Sequence, residues 1–271
     1  MGKPEFSEKD IKEAVKRRYA GAIERPASSC CAPAPSRPVQ IGTSCCGPSV
    51  TEAMKGGMAK VAGYGEEELG RLPSDAVQNA FGCGNPLAFA GVQPGQVVLD
   101  IGSGAGIDCL IAAEKVGPGG RVIGLDMTPE MLERARRNAR EAGASNVEFR
   151  LGEAEKMPVE DGSVDWVISN CVINLIPDKQ KAFTEIYRVL KTGGRFSISD
   201  MVTFGEIPLA VRDDMELWAG CISGALDRDK YLQIIRAAGF EDVEIKKTVI
   251  YDTIKGEEYG VGSITVEAHK R

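Results

Sequence analysis

The stretch Val97-Val98-Leu99-Asp100-Ile101-Gly102-Ser103-Gly104-Ala105-Gly106 places three glycines directly after a largely apolar run. A short apolar run of this kind is typical of a strand that is buried on both faces of a parallel sheet. Glycines permit a tight turn and let the backbone approach a bound molecule where the next helix begins. We therefore predict a central strand that ends at a ligand-binding turn.

Predicted strands and helices alternate along the chain after this strand, which is typical of a parallel α/β sheet. The predicted strands cover residues 97–101, 121–125, 147–150, 164–169 and 195–200. The predicted helices cover residues from about 106, then 129–142, 179–190, 212–222 and 228–238. Val243 to Thr248 and Ser263 to Ala268 are interpreted as a closing antiparallel pair, joined through Tyr251 to Gly262.

Two segments precede the predicted sheet. Residues 7 to 23 form a predicted amphipathic helix, capped by Ser7, that serves as a lid or docking element. Residues 26 to 48 are rich in Pro, Ser, Ala and Cys, and have too few large apolar side chains to form a core. We expect this second segment to be a mobile linker or flap.

Composition excludes several classes of function. The chain has 271 residues and a net charge of -6, so it carries no basic surface typical of nucleic-acid binding. No stretch has the length and apolarity of a signal peptide or a membrane span, so we expect a cytoplasmic protein without a membrane partner. The single histidine, His269, argues against histidine acid–base chemistry. The eight cysteines are expected to be reduced thiols with metal, metalloid or redox roles.

The glycine turn does not match the fingerprint of a dinucleotide-binding site. That fingerprint needs a third glycine at position 107, where this chain has Ile107, which argues against hydride transfer with NAD. Asp100 would disfavour a nearby pyrophosphate but suits a cationic sulfonium ligand. Asp126 ends the second predicted strand, where a carboxylate accepts hydrogen bonds from ribose hydroxyls.

This order of motifs, completed by Gly152-Glu153-Ala154-Glu155 after the third strand, resembles the class I S-adenosylmethionine-dependent methyltransferases over about residues 75 to 205. The resemblance implies a Rossmann-like fold with a mostly parallel seven-stranded sheet and an antiparallel C-terminal strand. It implies that the methionine moiety is cradled by Asp100, Gly102, Gly104 and Gly106. It further implies that ribose and adenine are held by Asp126 and Met127, with Glu153 and Ala154 at the adenine edge. Asn170 is expected to line the site of methyl transfer.

Cys83, Cys171 and Cys221 stand far apart in sequence and form no CxxC pair. This spacing argues against a local zinc finger but permits a site that the fold assembles from distant segments. In such a fold the segment before the first strand, the end of the fourth strand and the helix after the fifth can converge over the methyl group. Three soft thiolates suit a trivalent metalloid whose lone pair remains free to act as the nucleophile.

The chain closely resembles the arsenite S-adenosylmethionine methyltransferases through most of residues 41 to 250. The resemblance is carried by Gly82-Cys83-Gly84, by Asp100 to Cys109, by Ser169 to Leu175, by Val189 to Gly194 and by Leu217 to Ala225. It implies that Cys171 and Cys221 bind As(III), with Cys83 as a third thiol. It also implies that Cys46, next to Cys45, takes part in thiol exchange or early capture. The roles of Cys30 and Cys31 stay open, and Cys109 is expected to be a buried core residue.

The resemblance implies the methylation, and thereby the detoxification, of arsenite or its thiol conjugates, with S-adenosylmethionine as donor and thioredoxin or glutathione as reductant. We divide the chain into an N-terminal helix and flap, residues 1–72, and a methyltransferase domain, residues 73–271, with an arsenite-binding helical insert around 204–225. Two alternatives stay open at this point. One is a methyltransferase of another small molecule, such as a quinone, sterol or carbon acid, and the other is a thiol-rich metalloid-binding protein without turnover.

Overall fold

A computed structural model describes residues 6–24, 57–205, 214–255 and 259–271, with the backbone alone at 24, 58 and 252–255. The helices are α1 Glu8–Glu24, α2 Gly57–Ala62, α3 Glu66–Gly70, α4 Ser74–Gln78, α5 Ile107–Val116, α6 Pro129–Glu141, α7 Lys179–Val189, α8 Met215–Ala219 and α9 Arg228–Ala237. The strands are β1 Val97–Ile101, β2 Arg121–Asp126, β3 Val147–Leu151, β4 Val164–Asn170, β5 Leu190–Phe204, β6 Leu226–Asp227, β7 Glu241–Lys255 and β8 Gly260–His269. None of the helices in these ranges is long and apolar enough to cross a membrane.

The strands form one sheet in the order β3-β2-β1-β4-β5-β8-β7, and the short strand β6 pairs with β5. Strand β8 runs antiparallel to both of its neighbours, β5 and β7, whereas the other pairs are parallel. The predicted class I methyltransferase architecture is therefore confirmed, including the seven main strands and the antiparallel C-terminal strand. Strand β6 has two residues, Leu226 and Asp227, and is too short to give a periodic signal in the sequence.

Helices cover both faces of the sheet, and successive residues of β1 point into different cores. Val98 packs with Ile111 of α5 on one face, whereas Leu99 belongs to the cluster that contains Phe183 of α7 on the other. Val98 and Leu99 are both fully buried. This two-sided burial explains why the strand is apolar throughout and does not alternate with polar residues.

The carboxyl ends of the central strands lie side by side. Ile101, at the end of β1, pairs with Leu125 of β2 on one side and with Ser169 of β4 on the other. The residues that follow these three positions therefore meet at one edge of the sheet, where ligands bind in open α/β folds. These residues are Gly102, Asp126 and Asn170.

The observed elements differ most from the prediction after residue 190. Strand β5 is longer than the predicted 195–200 because β8 pairs with it continuously from Arg195 to Phe204. The helix predicted at 212–222 is confined, in the described residues, to α8, and it ends where Gly220 and Cys221 leave helical geometry. The predicted closing pair is confirmed, but its strands are longer than predicted, because β7 ends at Lys255 and β8 begins at Gly260.

Helix α1 docks on the part of the fold that carries Cys221. The Ser7 hydroxyl accepts a hydrogen bond from the Asp10 amide at 3.2 Å, as the predicted N-cap requires. Ile11 and Val15 are buried against Leu175, Trp218 and Ala219. The helix is therefore packed against α8, which confirms the docking alternative of the prediction.

A buried acid in β5 gives the fold a testable pH dependence. Asp200 is fully buried, and this burial raises its pKa from 3.8 to about 7. Two contacts favour the charged form and oppose that rise. The Tyr231 hydroxyl donates a hydrogen bond to Oδ2 of Asp200 at 2.9 Å, and the Lys179 ammonium lies nearby. Between about pH 4 and pH 7 the folded state therefore retains a proton that the unfolded chain has lost. We expect this group to destabilise the fold progressively as the pH rises through that window.

The substitution Tyr231→Phe tests the hydrogen bond between Tyr231 and Asp200. The Tyr231 hydroxyl favours the ionised form of Asp200, so its removal is expected to cost about 1 kcal/mol at pH 5.5 and about 2 kcal/mol at pH 8.0. Urea unfolding at both pH values measures the difference, with Tyr187→Phe as the control because Tyr187 packs on Phe240 outside the acid's hydrogen bonds. An equal loss of unfolding free energy at pH 5.5 and pH 8.0 would show that the Tyr231 hydroxyl does not favour the ionised form of Asp200.

Candidate active site

A cleft opens at the carboxyl edge of β1, β2 and β4. Its walls include the glycine turn, the ends of these strands and one face of α1. Of the residues predicted from the sequence, it is lined by Gly102, Gly104, Asp126, Met127, Glu153, Ala154, Asn170 and Cys171.

The glycine turn has the backbone geometry that the sequence predicts. Gly102 has φ +73°, and a Cβ atom placed on it would lie 2.2 Å from Cγ2 of Val172. Gly104 also has positive φ, +51°, but a Cβ on Gly104 would meet nothing within 4 Å. Gly102 is therefore required both by its conformation and by close packing, whereas Gly104 is required by conformation alone.

Asp126 holds the turn against the end of β2. Its Oδ2 accepts a hydrogen bond from the Gly104 amide at 2.9 Å, and its Oδ1 accepts one from the Thr128 amide at 2.8 Å. Burial raises the pKa of Asp126, while these amides oppose the shift. The Ser103 hydroxyl on the same turn is buried and has no hydrogen-bond partner. An unpaired buried hydroxyl at the cleft wall fits a polar ligand that supplies the missing partner.

Asp100 and Gly106, also predicted from the sequence, lie behind the cleft wall. Asp100 is buried beneath the turn, where its Oδ2 accepts a hydrogen bond from the Cys109 thiol at 3.2 Å. Cys109 is fully buried, as expected for a core residue. Gly106 precedes α5 with φ +93°. The two residues support the turn from below and do not contact the open space of the cleft.

Asp108 lines the cleft and was not singled out by the sequence analysis. Its Oδ1 accepts a hydrogen bond from the Tyr64 hydroxyl at 2.7 Å. Burial raises the pKa of Asp108 to about 6, and the hydrogen bonds from Tyr64 and Asn170 oppose that shift. The run Ile107-Asp108 begins a helix directly after the turn, and an acid at that position was the available signal.

Lys12, Glu153 and Glu155 form an ion-pair group in the wall of the cleft. Lys12 of α1 lies 2.7 Å from Oε2 of Glu153 and 3.0 Å from Oε1 of Glu155. The hydrogen bond from Lys12 lowers the pKa of Glu153. The N-terminal helix therefore contacts the predicted adenine edge, a contribution that spacing along the chain does not reveal.

The three cysteines singled out from the sequence come together beside the cleft. Cys83 and Cys171 form a disulfide with 5.7 Å between their Cα atoms, so the expectation of reduced thiols is wrong for this pair. The Cys221 sulfur lies 3.7 Å from the carbonyl oxygen of Cys171. The surroundings are an apolar cluster of Leu217, Met201, Ile222, Ala225, Tyr251 and Val261. Distant segments therefore converge as expected, and Cys171 itself lines the cleft.

Two of these cysteines hold unusual backbone conformations. Cys171 has φ +60° and Cys221 has φ +70°, and only Asp242 joins them among the described non-glycine residues with positive φ. The left-handed region costs an ordinary residue about 1 kcal/mol or more. Cys171 and Cys221 are therefore held in strained backbone conformations by the surrounding structure.

Asn170 clamps the loop that carries Cys83. Its Nδ2 donates to the Gly84 carbonyl at 2.6 Å, and its Oδ1 accepts from the Gly84 amide at 3.2 Å. The amide also packs against Gly82, where an added Cβ would lie 2.2 Å from Nδ2. Asn170, predicted to line the methyl-transfer site, thus lines the cleft and holds Cys83 next to Cys171.

The sulfur cluster contains one disulfide, Cys83–Cys171, and one free thiol, Cys221. In the part of the chain that is described, no three His, Cys, Asp or Glu side chains are grouped to hold a metal ion, and two of the three sulfurs are bonded to each other. Burial raises the pKa of the Cys221 thiol to about 11, opposed by Asn174 and Tyr19. The Cys30, Cys31, Cys45 and Cys46 thiols, with the predicted flap, lie outside the described residues.

Comparison with known proteins identifies the family. Residues 93–239 match the family of methyltransferase domains. The crystal structure of an arsenic(III) S-adenosylmethionine methyltransferase from Chlamydomonas reinhardtii is 37% identical, with a TM-score of 0.69 over 75% of this chain and 72% of that one. The chain belongs to the arsenite methyltransferase family. S-adenosylmethionine is the methyl donor named for that member, which agrees with the family proposed from the motifs.

Two curated arsenite methyltransferases extend the comparison. The protein from Halobacterium salinarum is 44% identical over 236 residues, which are 87% of this chain and 59% of that protein. The human arsenite methyltransferase is 38% identical over 183 residues, 64% of this chain and 48% of its own length. The chain thus spans about half to three fifths of the length of these relatives.

Proposed function

We propose that this chain transfers the methyl group of S-adenosylmethionine to trivalent arsenic held by cysteine thiolates. The observation that carries the proposal is the convergence of Cys83, Cys171 and Cys221 in one apolar cluster that meets the cleft at Cys171. Soft thiolates are the ligands that a thiophilic centre prefers. The names of the relatives support arsenite as the acceptor.

The cleft residues fit S-adenosylmethionine. We assign Gly102, Gly104 and the Ser103 hydroxyl to its methionine moiety, supported from below by Asp100 and Gly106. We assign Asp126 and Met127 to ribose and adenine, with Glu153 and Ala154 at the adenine edge. When bound, the sulfonium supplies an activated methyl group. The chain contributes the position of Cys171, which continues directly from Asn170 at the cleft wall.

Methyl transfer to arsenic needs alignment more than acid–base catalysis. The arsenic lone pair forms the new As–C bond, the methyl–sulfur bond breaks, and its electron pair neutralises the sulfonium. Holding the two reacting atoms near contact distance supplies much of the acceleration for such a reaction. An apolar cluster around the thiols suits this step because no group has to take up a proton there. The scarcity of histidine is consistent with this chemistry.

Arsenic leaves this step at the pentavalent level and must regain two electrons before another round. We assign that task to the thiols: two cysteine thiols give up two electrons and become a disulfide. The bonded pair Cys83–Cys171 is such an oxidised state. Cys46 is proposed to exchange thiols with this pair or to capture arsenite first. An external thiol such as glutathione or thioredoxin is proposed to restore the reduced protein, and we propose that the enzyme works in a reducing compartment, the cytoplasm.

Mass spectrometry of arsenic species tests the function. The purified protein is incubated with S-adenosylmethionine, arsenite and a thiol reductant, and methylated arsenic is expected. Intact binding of S-adenosylhomocysteine without any methylated product would favour another acceptor for the methyl group. Tight arsenite binding without product, in the presence of donor and reductant, would favour a metalloid-binding protein without turnover.

A further inference from the structure

One face of α1 contacts both ends of the site. Lys12, Val15 and Tyr19 follow a helical spacing of three and four residues, and all three line the cleft. Lys12 reaches the ion-pair group at Glu153 and Glu155, the proposed adenine edge. Tyr19, two turns further along the helix, reaches the sulfur cluster. The helix is therefore a wall shared by two subsites.

Tyr19 contacts the two segments that carry Cys83 and Cys221. Its hydroxyl lies 3.7 Å from the Cys221 sulfur. Its ring makes an edge-to-face contact with Phe81 at 5.8 Å between centroids, and Phe81 stands two residues before Cys83. The ring of Tyr19 contacts Phe81, whereas its hydroxyl contacts the Cys221 sulfur.

Besides the Tyr19 hydroxyl, the polar groups near the Cys221 sulfur are the Asn174 side chain and the Cys171 carbonyl. The Asn174 side chain donates a hydrogen bond to the Cys221 carbonyl at 3.0 Å and holds the left-handed turn. The sulfur itself approaches the Cys171 carbonyl at 3.7 Å. A sulfur bonded to arsenic has no proton to donate to that carbonyl, but it still accepts a hydrogen bond from a hydroxyl.

We infer that Tyr19 is a positioning residue for the metalloid subsite, with its hydroxyl donating a hydrogen bond to the Cys221 sulfur when that sulfur binds trivalent arsenic. The inference rests on the proposed function and deepens it. It assigns the two ends of α1 to different ligands, with Tyr19 serving the metalloid and Lys12 serving the nucleoside. Neither residue belongs to the motifs that carry the family resemblance.

Three single variants of α1 test this assignment. Tyr19→Phe removes the hydroxyl and keeps the ring contact with Phe81. Lys12→Met removes the ammonium at the opposite end of the same helix face. Arg17→Gln changes an exposed residue of the same helix and serves as the control for its charge and folding.

Two affinities are measured on each reduced full-length variant. Arsenite affinity is followed by the fluorescence of the tryptophans, of which Trp218 packs in the cluster that also contains Tyr19 and Cys221. Affinity for S-adenosylhomocysteine is measured by calorimetry, and the thermal midpoint reports folding. We expect Tyr19→Phe to weaken arsenite binding about two- to tenfold, the usual effect of one hydrogen bond, without changing nucleoside binding. Lys12→Met should show the opposite pattern.

The outcomes separate this inference from the proposed function. Wild-type protein that binds no arsenite would overturn both. Wild-type binding with an unchanged affinity in Tyr19→Phe would overturn the role of Tyr19 alone. Parallel losses of both affinities in Tyr19→Phe would show that the hydroxyl only supports the docking of α1, which also rejects the assignment.

Discussion

Cys171→Ser is expected to lower methyl transfer to arsenite below about one per cent of the wild-type rate, because a serine hydroxyl does not replace a soft thiolate as a ligand of trivalent arsenic. Cys171 lies where the sulfur cluster meets the cleft, so its loss removes the proposed arsenic ligand nearest the proposed donor site. The substitution changes one atom and leaves the glycine turn in place. Affinity for S-adenosylhomocysteine should therefore stay within about twofold of wild type.

Rates and affinities are compared in three proteins for this prediction. Arg17→Gln is the control, because Arg17 is an exposed residue of α1 outside the sulfur cluster. Methylated arsenic is quantified by mass spectrometry after a fixed incubation with donor and reductant. Turnover of Cys171→Ser at the wild-type rate would mean that arsenic is bound elsewhere. Loss of nucleoside binding in this variant would point to misfolding, which Cys171→Ala with its smaller side chain would then check.

Gly102→Ala is expected to reduce S-adenosylhomocysteine binding at least about a hundredfold. The methyl group would have to fit 2.2 Å from Val172, on a backbone with φ +73°. Relief of such a clash moves the turn or Val172, and either movement alters the wall against which the ligand packs. Calorimetry with S-adenosylhomocysteine measures the loss directly.

Gly104→Ala is the matched comparison for this variant. It also places an alanine at positive φ, but the added Cβ meets nothing within 4 Å. We expect a smaller loss of affinity in Gly104→Ala, from conformational strain of about 1 kcal/mol. The double variant Gly102→Ala with Val172→Ala should regain part of the lost affinity. Equal losses in the two single glycine variants would show that packing against Val172 is unimportant.

Much of the fold follows from periodicity alone. The apolar run before Gly102 predicts β1 with its observed bounds, because a strand covered on both faces has no polar side to interrupt the pattern. The bounds of β5 could not be predicted in the same way. Its extension to Phe204 depends on pairing with β8, more than fifty residues later in the chain. Long-range pairing leaves no local periodic signal.

The candidate site was predicted where its residues belong to motifs at strand ends. Asp126 and Gly102 are found at the cleft for that reason. The contribution of α1 could not be predicted, because docking of Lys12 onto Glu153 connects positions 141 residues apart. The same holds for the clamp that Asn170 forms on Gly84, which depends on how a loop folds back on the sheet.

The left-handed backbone at Cys171 and Cys221 has a consequence for laboratory evolution. At Cys221, which is not disulfide-bonded, glycine or asparagine would relieve this strain, so a selection that rewards only solubility or heat resistance would admit them there. The resulting proteins would be well expressed and would bind nucleoside, yet they would leave arsenic unmethylated. A library built to improve this chain should therefore keep the Cys171 and Cys221 codons constant. Enrichment of glycine at Cys221 would show that the selection favours stability over the proposed methyl transfer.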